Sequence, residues 1–410
     1  MDLKTRFLQY TRINTTTNQI AGSAGVMPSS LGQIELGKLI VKELNEMQGI
    51  TNIEHRDNGI VTATLPSNCG DDLPSVAFFG HLDTSSEHVG DTHAKLVNYQ
   101  GGYIKLGHGE VLTIKDNPEL NNYIGQEIFV TDGTSLLGAD DKAAIAAIMN
   151  ALEVITSTPS IKHGKVSVAF VPDEEQGLLG ANAFNTPDFA DFGYTLDCCG
   201  IGEFVKENWN AGNAVITFHG KSAHPMNSKG NLKNSLLMAQ QFITYFPRLE
   251  TPENTEGRDG YYWMKKLEGN SAKTVLNIDI RDFTKEGYLD RKCFIDQACR
   301  SFNNLYGDGT LTYNISDRYE NVSNYLNNTI GNMAISLAEQ AYIKNGIEMK
   351  VIPMRGGYDG AVFSANGIPC PNIFTGAHNF HSICEYLPVP SLLAASNVVQ
   401  TIIMTIAEDK

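Results

Sequence analysis

Five side chains of the metal-ligating type each follow an apolar run, and their combination predicts a two-metal site. Asp140 lies in segment 138–143 (GADDKA), and the other four are His81, Glu175, Asp197 and His381. A carboxylate has two oxygens and can therefore bridge two cations. We interpret Asp140 as this bridge, with the other four residues divided between the two ions.

Each of these residues also has an ordinary structural explanation. Asp140 precedes apolar residues at helical spacing, and Asp is favoured at helix N-termini. A surface or loop position would explain His81 and His381, and turns would explain Glu175 and Asp197. The combination, rather than any single residue, favours the metal site.

Two carboxylates beside these ligands have the chemistry of supporting groups. Consecutive residues point apart, so Glu175 is free to bind metal while Glu174 takes a proton from the metal-activated water as a general base. Asp83 follows His81 by two positions, and extended backbone places both side chains on one face. A ligating imidazole commonly donates its second N–H to such a carboxylate.

Three further residues could contact the substrate. His224 could support the developing oxyanion if the domains close or a second subunit supplies it. Arg281 and Arg355 could pair with a substrate carboxylate. A turn histidine and buried structural arginines are the alternatives.

The elements that must position these residues are those of an α/β domain. Strands are predicted at 60–65, 75–79, 165–171 and 192–196, and three candidate sites follow strands, as expected at the carboxyl edge of an open sheet. Asp140 is expected where an apolar strand, residues 135–137, meets a helix. Residues 85–135 are predicted to be irregular or a small subdomain.

The order of predicted elements changes between residues 208 and 317. There the pattern β-α-β-β-α-β predicts a ferredoxin-like arrangement. We therefore expect a catalytic domain made of residues 1–207 and 318–410, with a second domain, residues 208–317, inserted into it.

The composition limits the partners. The formal net charge of -15 disfavours nucleic acid, and neither a signal peptide nor a membrane span is evident, so we expect a cytoplasmic location. The seven cysteines are scattered, so we expect reduced thiols and no zinc finger.

Taken in order, these motifs resemble the zinc-dependent aminoacylase and carboxypeptidase family of co-catalytic metallopeptidases, and in particular its tripeptide aminopeptidase branch. The resemblance spans the chain through GHLDTS, NYQGG, LLGADDKA, PDEEQG, YTLDC, HP, TEG, IRDF, RGGYDGA and PCPNIFTG. NYQGG and TEG point to the branch.

The resemblance implies a three-layer catalytic domain with a mostly parallel mixed sheet and an inserted lid or dimerisation domain. It also implies two Zn²⁺ per subunit, with His81 and Asp197 on one ion, Glu175 and His381 on the other, and Asp140 between them. Glu174 then matches the general base, and Asp83 matches the aspartate that orients the histidine. The implied activity is hydrolysis of the N-terminal bond of short peptides, chiefly tripeptides, by a bridging hydroxide. The inserted domain could pair with a second copy in a homodimer through an exposed strand edge, or act only as a lid.

The sequence departs from the family pattern at three places. Tyr358 replaces a threonine, Cys198 and Cys199 replace two glycines, and HNFHSICEY places His378 near His381 as a competing ligand. These changes bear on substrate preference. A dipeptidase or N-acyl-amino-acid amidohydrolase is the alternative activity, and a catalytically silent peptide-binding protein is the alternative of another class.

Overall fold

The computed structural model describes residues 1–70, 72–198 and 200–408, which form two compact units. Unit 1 comprises Met1–Lys206, Tyr325–Ile352 and Tyr358–Lys410, and unit 2 comprises Glu207–Asn324 and Pro353–Gly357. The assignment of a catalytic role and a lid role to separate domains stays a prediction.

The first segment of unit 1 alternates helices and strands. Its helices are α1 (Leu3–Thr11), α2 (Gln19–Ser23), α3 (Leu31–Glu46), α4 (Ala139–Ser157) and α5 (Leu179–Ala183). Its strands are β1 (Thr51–His55), β2 (Val61–Leu65), β3 (Val76–His81), β4 (Lys95–Asn98), β5 (Tyr103–Gly107), β6 (Glu110–Thr113), β7 (Glu127–Val130), β8 (Val166–Val171), β9 (Phe192–Cys198) and β10 (Glu203–Val205).

Unit 2 has the predicted ferredoxin-like arrangement. Its main elements are β11 (Asn210–His219), α6 (Ser235–Ile243), β12 (Tyr261–Gly269), β13 (Lys273–Asp282), α7 (Lys285–Tyr306) and β14 (Leu311–Tyr319). The strands pair antiparallel in the order β12-β13-β11-β14. Phe242 of α6 and Phe302 of α7 pack with strand residues Ile216 and Ile278 into one apolar core.

The chain then completes unit 1. The remaining elements are α8 (Ser323–Leu326), α9 (Thr329–Lys344), β15 (Lys350–Val351), α10 (Asp359–Ala365), β16 (Asn372–Phe374), β17 (Tyr386–Pro388) and α11 (Val389–Thr405). Among the described residues, the main sheet has the order β1-β2-β8-β3-β9-β16-β10-β15. The pairs β3–β8, β3–β9, β9–β16 and β10–β15 are parallel, which confirms the mostly parallel mixed sheet.

The central strands β3 and β8 bring two of the predicted motifs together. Every residue of both strands is buried, which fits their nearly continuous apolar sequences. His81 ends β3 and pairs with Val171 at the end of β8. The PDEEQG turn that follows β8 therefore begins beside His81.

Of the two alternatives for residues 85–135, the structure supports the small subdomain, because β4, β7 and β17 form a small sheet and β5 and β6 form a hairpin over a separate apolar core. One local prediction is wrong. Residues 135–137 are not a strand: they belong to a loop in which Leu137 is buried without a strand partner. Gly138 ends this loop at φ +74°, a left-handed conformation that glycine adopts without strain.

No helix in the described part of the chain is both long and apolar enough to cross a lipid bilayer.

Candidate metal centre

His81 is held at the end of β3 by both of its ring nitrogens. Nδ1 lies 3.1 Å from the main-chain oxygen of Asp83 and 3.3 Å from its Oδ1, and Nε2 lies 2.9 Å from Oδ1 of Asp140. Burial opposes the charged imidazole, but the carboxylates of Asp141, Asp140 and Asp83 outweigh it and raise the pKa of His81. The ring is thus fixed with Nε2 toward Asp140.

The two carboxylate oxygens of Asp140 face two different imidazoles. Its Oδ1 faces Nε2 of His81, and its Oδ2 lies 3.3 Å from Nε2 of His381. The backbone at Asp140 is non-helical, with φ -81° and ψ 101°, although it lies in the first turn of α4. Burial disfavours its charge, yet the hydrogen bonds with His381 and His81 lower the pKa of Asp140.

The loop that carries Asp140 is held by Glu385, which the sequence did not reveal. Its buried carboxylate accepts the backbone N–H groups of Gly138 at 2.8 Å and Asp140 at 3.0 Å. These two hydrogen bonds fix the orientation of the backbone from which the Asp140 side chain projects.

His381 faces two of the predicted ligands and one further carboxylate. Nε2 lies 2.7 Å from Oε1 of Glu175 in addition to its contact with Asp140, and Nδ1 lies 3.2 Å from Oε2 of Glu87. Hydrogen bonds with Asp140 and Glu175 raise the pKa of His381 to about 11. Burial raises the pKa of Glu175.

Asp197, near the end of β9, is positioned by Asn372 of β16. Asn372 accepts the backbone N–H of Asp197 and donates its own Nδ2 to the Asp197 carbonyl, both at 2.7 Å. Burial and the neighbouring Asp140 charge raise the pKa of Asp197 well above its ordinary value. This strand end therefore presents a carboxyl group whose ionised form is disfavoured by its surroundings.

Glu174 and Glu175 converge instead of pointing apart as predicted. One ligand atom from each lies within 4.8 Å of the other and of a His81 ring nitrogen. The chain turns after β8, with Asp173 at φ +56°, so the alternation of an extended strand does not apply. Burial, followed by the charge of Asp197, raises the pKa of Glu174.

All five predicted ligands thus meet at one edge of the main sheet. Potential ligand atoms lie within 4.8 Å of one another in three overlapping groups, which are His81, Asp140, Asp141 and Asp197; His81, Glu174 and Glu175; and Asp140, Glu175 and His381. Asp141, the chain neighbour of Asp140, is an additional member that was not predicted as a ligand. Its Oδ2 accepts the backbone N–H of His81 at 2.9 Å.

Asp173 is a further supporting residue that was not predicted. Its buried carboxylate accepts the backbone N–H of Ser29 at 2.7 Å and the side-chain amide of Gln33 at 2.8 Å. The turn that carries Glu174 and Glu175 is thereby tied to the start of α3.

His378, the competing histidine, lies in an aromatic environment. Its Nε2 is 2.8 Å from the Tyr123 hydroxyl, and its ring stacks on Tyr386 with a centroid distance of 4.7 Å. Burial lowers the pKa of His378 to about 4. His381, rather than His378, faces the carboxylates.

The residues that depart from the family pattern lie partly within the described structure. Tyr358 is fully buried, and its hydroxyl is 3.5 Å from the carbonyl of Cys370. Cys198 is buried at the end of β9, whereas Cys199 falls outside the described residues.

The three predicted substrate-contacting residues belong to unit 2. Nδ1 of His224 accepts the backbone N–H of Met226 at 3.2 Å, so a neutral His224 ring carries its proton on Nε2. Arg281 is buried and donates to the carbonyls of Gly212 and Ile280 and to Asp279.

Arg355 is also anchored within unit 2. It donates to the carbonyl of Gly257 at 3.1 Å and to the hydroxyl of Thr255 at 3.0 Å. Its guanidinium carbon lies 4.9 Å from the centroid of the Trp209 ring and 5.5 Å from that of Tyr261. These contacts give both arginines structural partners.

Imidazoles and carboxylates that converge at the carboxyl edge of a mostly parallel sheet define an α/β protein with a candidate metal centre. The sequence profile of peptidase family M20/M25/M40 matches residues 133–405. The chain belongs to this peptidase family.

Individual relatives agree with this assignment over nearly the whole chain. Peptidase T from Clostridium perfringens is 42% identical over 406 residues, which cover 98% of each protein. The structure of aminopeptidase PepT from Bacillus cereus covers 99% of this chain and 98% of its own with a TM-score of 0.77 at 21% identity. The YXEP protein of Bacillus subtilis, a dinuclear metal-binding peptidase, covers 99% of both chains with a TM-score of 0.66 at 15% identity.

Proposed function

We propose that this protein is a di-zinc aminopeptidase that removes the N-terminal residue of short peptides, chiefly tripeptides. The observation that carries the proposal is that the two carboxylate oxygens of Asp140 face two different imidazoles, those of His81 and His381. The identity with peptidase T over nearly the full length supports the substrate class.

The residues present fit a pair of zinc ions. Imidazole nitrogen and carboxylate oxygen are ordinary zinc ligands, and three protein ligands with an open position are typical of catalytic sites. Burial raises the pKa of Glu175 and Asp197, as expected of carboxylates that lack their cation. His81 and Asp197 would hold one ion, Glu175 and His381 the other, and Asp140 both.

The protein's own groups then have distinct tasks. When bound, the metal pair supplies polarisation of the peptide carbonyl and a water of lowered pKa. Glu174 takes the proton of the attacking water and passes it to the leaving amine. Asp83 orients His81 and holds the turn that carries Glu174.

Unit 2 supplies the remaining tasks in this proposal. His224 would donate from Nε2 to the developing oxyanion if the domains close or a second subunit supplies it, and Arg281 and Arg355 would attract the peptide carboxylate. Residues 208–317 act as a lid and as the contact of a homodimer in the cytoplasm.

A panel of N-acetylalanine and of free and N-acetylated di-, tri- and tetraalanine tests the proposal, with and without zinc. Zinc-dependent release of free alanine, fastest from trialanine, is the expected result. Cleavage of N-acetylalanine but not of trialanine would instead identify an N-acyl-amino-acid amidohydrolase. Tight binding of peptide at a zinc content near zero, without hydrolysis, would identify a silent peptide-binding protein.

A further inference from the structure

Asp359 is a buried carboxylate beside the metal centre that has no task in the mechanism above. It is the first residue of α10, which packs against β9, and only 4% of its surface is exposed. Its charge acts on Asp197 and Glu174, so it lies within electrostatic range of the proposed reaction site.

Asp359 differs from Asp83 and Glu385 because one of its two oxygens has no hydrogen-bond donor among the described residues. Asp83 and Glu385 each accept two backbone N–H groups. In the described part of the chain, no donor reaches Oδ1 of Asp359. An unpaired buried carboxylate is costly, and burial accordingly raises the pKa of Asp359 to about 7.

The position of Asp359 in the first turn of a helix does not explain this cost. The helix dipole favours an acid there, but α10 has only seven residues and its dipole is correspondingly weak. The dipole also leaves the buried oxygen without a donor. A cation that arrives with the substrate would supply both the missing hydrogen-bond donor and a compensating positive charge.

Charge balance points in the same direction. Asp359 belongs to none of the three groups of potential metal ligands, so metal ions held by those groups would leave it without a direct counter-charge. A peptide with a free N-terminus carries one cation close to its scissile carbonyl, the α-ammonium, whereas an N-acylated substrate carries none.

We propose that Asp359 binds the α-ammonium group of the substrate and thereby makes the site select free N-termini over N-acylated ones. This inference rests on the proposed peptidase function, and it names Asp359 as the residue that determines this selectivity. The ammonium donates to Oδ1, and the interaction also places the adjacent carbonyl at the metal centre.

The test compares trialanine with propanoyl-dialanine, which has the same shape but lacks the ammonium. In the zinc-loaded unsubstituted protein, kcat/KM for trialanine should exceed that for propanoyl-dialanine by at least about 10-fold, as expected for a charged hydrogen bond. A smaller ratio would overturn the proposal without any variant. Failure to hydrolyse trialanine at all would count against the proposed function instead.

The isosteric variant Asp359→Asn should lower kcat/KM for trialanine by about 10- to 100-fold and leave that for propanoyl-dialanine nearly unchanged. Asp359→Glu should restore part of the ratio, and Asp188→Asn, which removes an exposed charge, should leave it unaltered. An equal loss on both substrates would indicate a merely structural role and contradict the proposal.

A binding measurement separates recognition from turnover. In the Glu174→Gln background, calorimetry should show that Asp359→Asn weakens trialanine binding but not propanoyl-dialanine binding. Equal affinities of trialanine for the single and double variants would overturn the proposal. If Asp359→Asn does not fold, Asp359→Ser serves in both measurements. A ratio of kcat/KM values below about 10 in the unsubstituted protein would still overturn the proposal.

Discussion

Oδ1 of Asp83 accepts the backbone N–H of Glu174 at 3.0 Å. Oδ2 of the same carboxylate accepts the backbone N–H of Glu175 at 3.1 Å, and Nδ1 of His81 lies 3.3 Å from Oδ1. One side chain thus connects an imidazole at the end of β3 with the proposed base and a ligand after β8. Asp83 fixes the turn as well as the histidine.

Replacing Asp83 with alanine should therefore disturb ligands on both metals. We expect metal affinity and kcat each to fall by about 10- to 100-fold, the usual cost of losing a group that orients metal ligands. Asp83→Asn keeps one acceptor oxygen and should lose less. Calorimetric metal titration and steady-state kinetics provide the check, and an alanine variant with unchanged affinity and kcat would rule out this role.

Glu174→Gln should separate catalysis from metal binding. The amide cannot accept the proton of the attacking water, so kcat should fall by about 10²- to 10⁴-fold while both metal ions stay bound. Kinetics and elemental analysis on the same preparation measure the two quantities. Turnover near that of the unsubstituted protein would remove Glu174 from the role of general base.

Glu385→Ala should weaken metal binding although Glu385 touches no metal in this account. The backbone N–H groups of Gly138 and Asp140 would lose their acceptor, and the loop that presents Asp140 would loosen. Metal affinity should fall by about 10- to 100-fold, more than in Glu385→Gln, which keeps one acceptor oxygen. Identical metal titrations for the three proteins would contradict this prediction.

His378 should make the fold sensitive to acid. Burial holds the pKa of His378 at about 4, below its ordinary 6.5. Between these two pH values the unfolded chain therefore binds a proton that the folded protein does not. The free energy of unfolding should therefore decrease as the pH falls through this window, by at most about 1.4 kcal/mol per pH unit.

His378→Gln removes this titration and should flatten the pH dependence. Denaturant unfolding of metal-free protein at pH 7, 6 and 5 measures the free energies of unfolding. Parallel pH profiles for the variant and the unsubstituted protein would show that His378 does not contribute.

The elements with strong periodic patterns could be predicted from the sequence. The continuous apolar run of β8 indicated a strand buried on both faces, and the order of elements in unit 2 indicated its antiparallel sheet. Strand ends were also informative, because residues that follow parallel strands meet at one sheet edge. This reasoning selects His81, Glu175 and Asp197 as candidate ligands.

The residues that hold the ligands could not be found by the same means. Glu385 supports Asp140 from 245 positions away, and Asn372 supports Asp197 from 175 positions away, so no local pattern links the partners. The convergence of Glu174 and Glu175 depends on a turn whose shape is set by Asp83 and Asp173. Asp359 has a similar limit, because its burial depends on tertiary packing.

If Asp140 joins two metal ions in one site, the protein must bind two ions per chain and lose both when Asp140 is removed. Calorimetric zinc titration with elemental analysis should give two ions per chain for the unsubstituted protein. Asp140→Ala should weaken both binding steps together, whereas His381→Ala should mainly weaken one. One ion per chain in the unsubstituted protein, or two tightly bound ions in Asp140→Ala, would contradict the account.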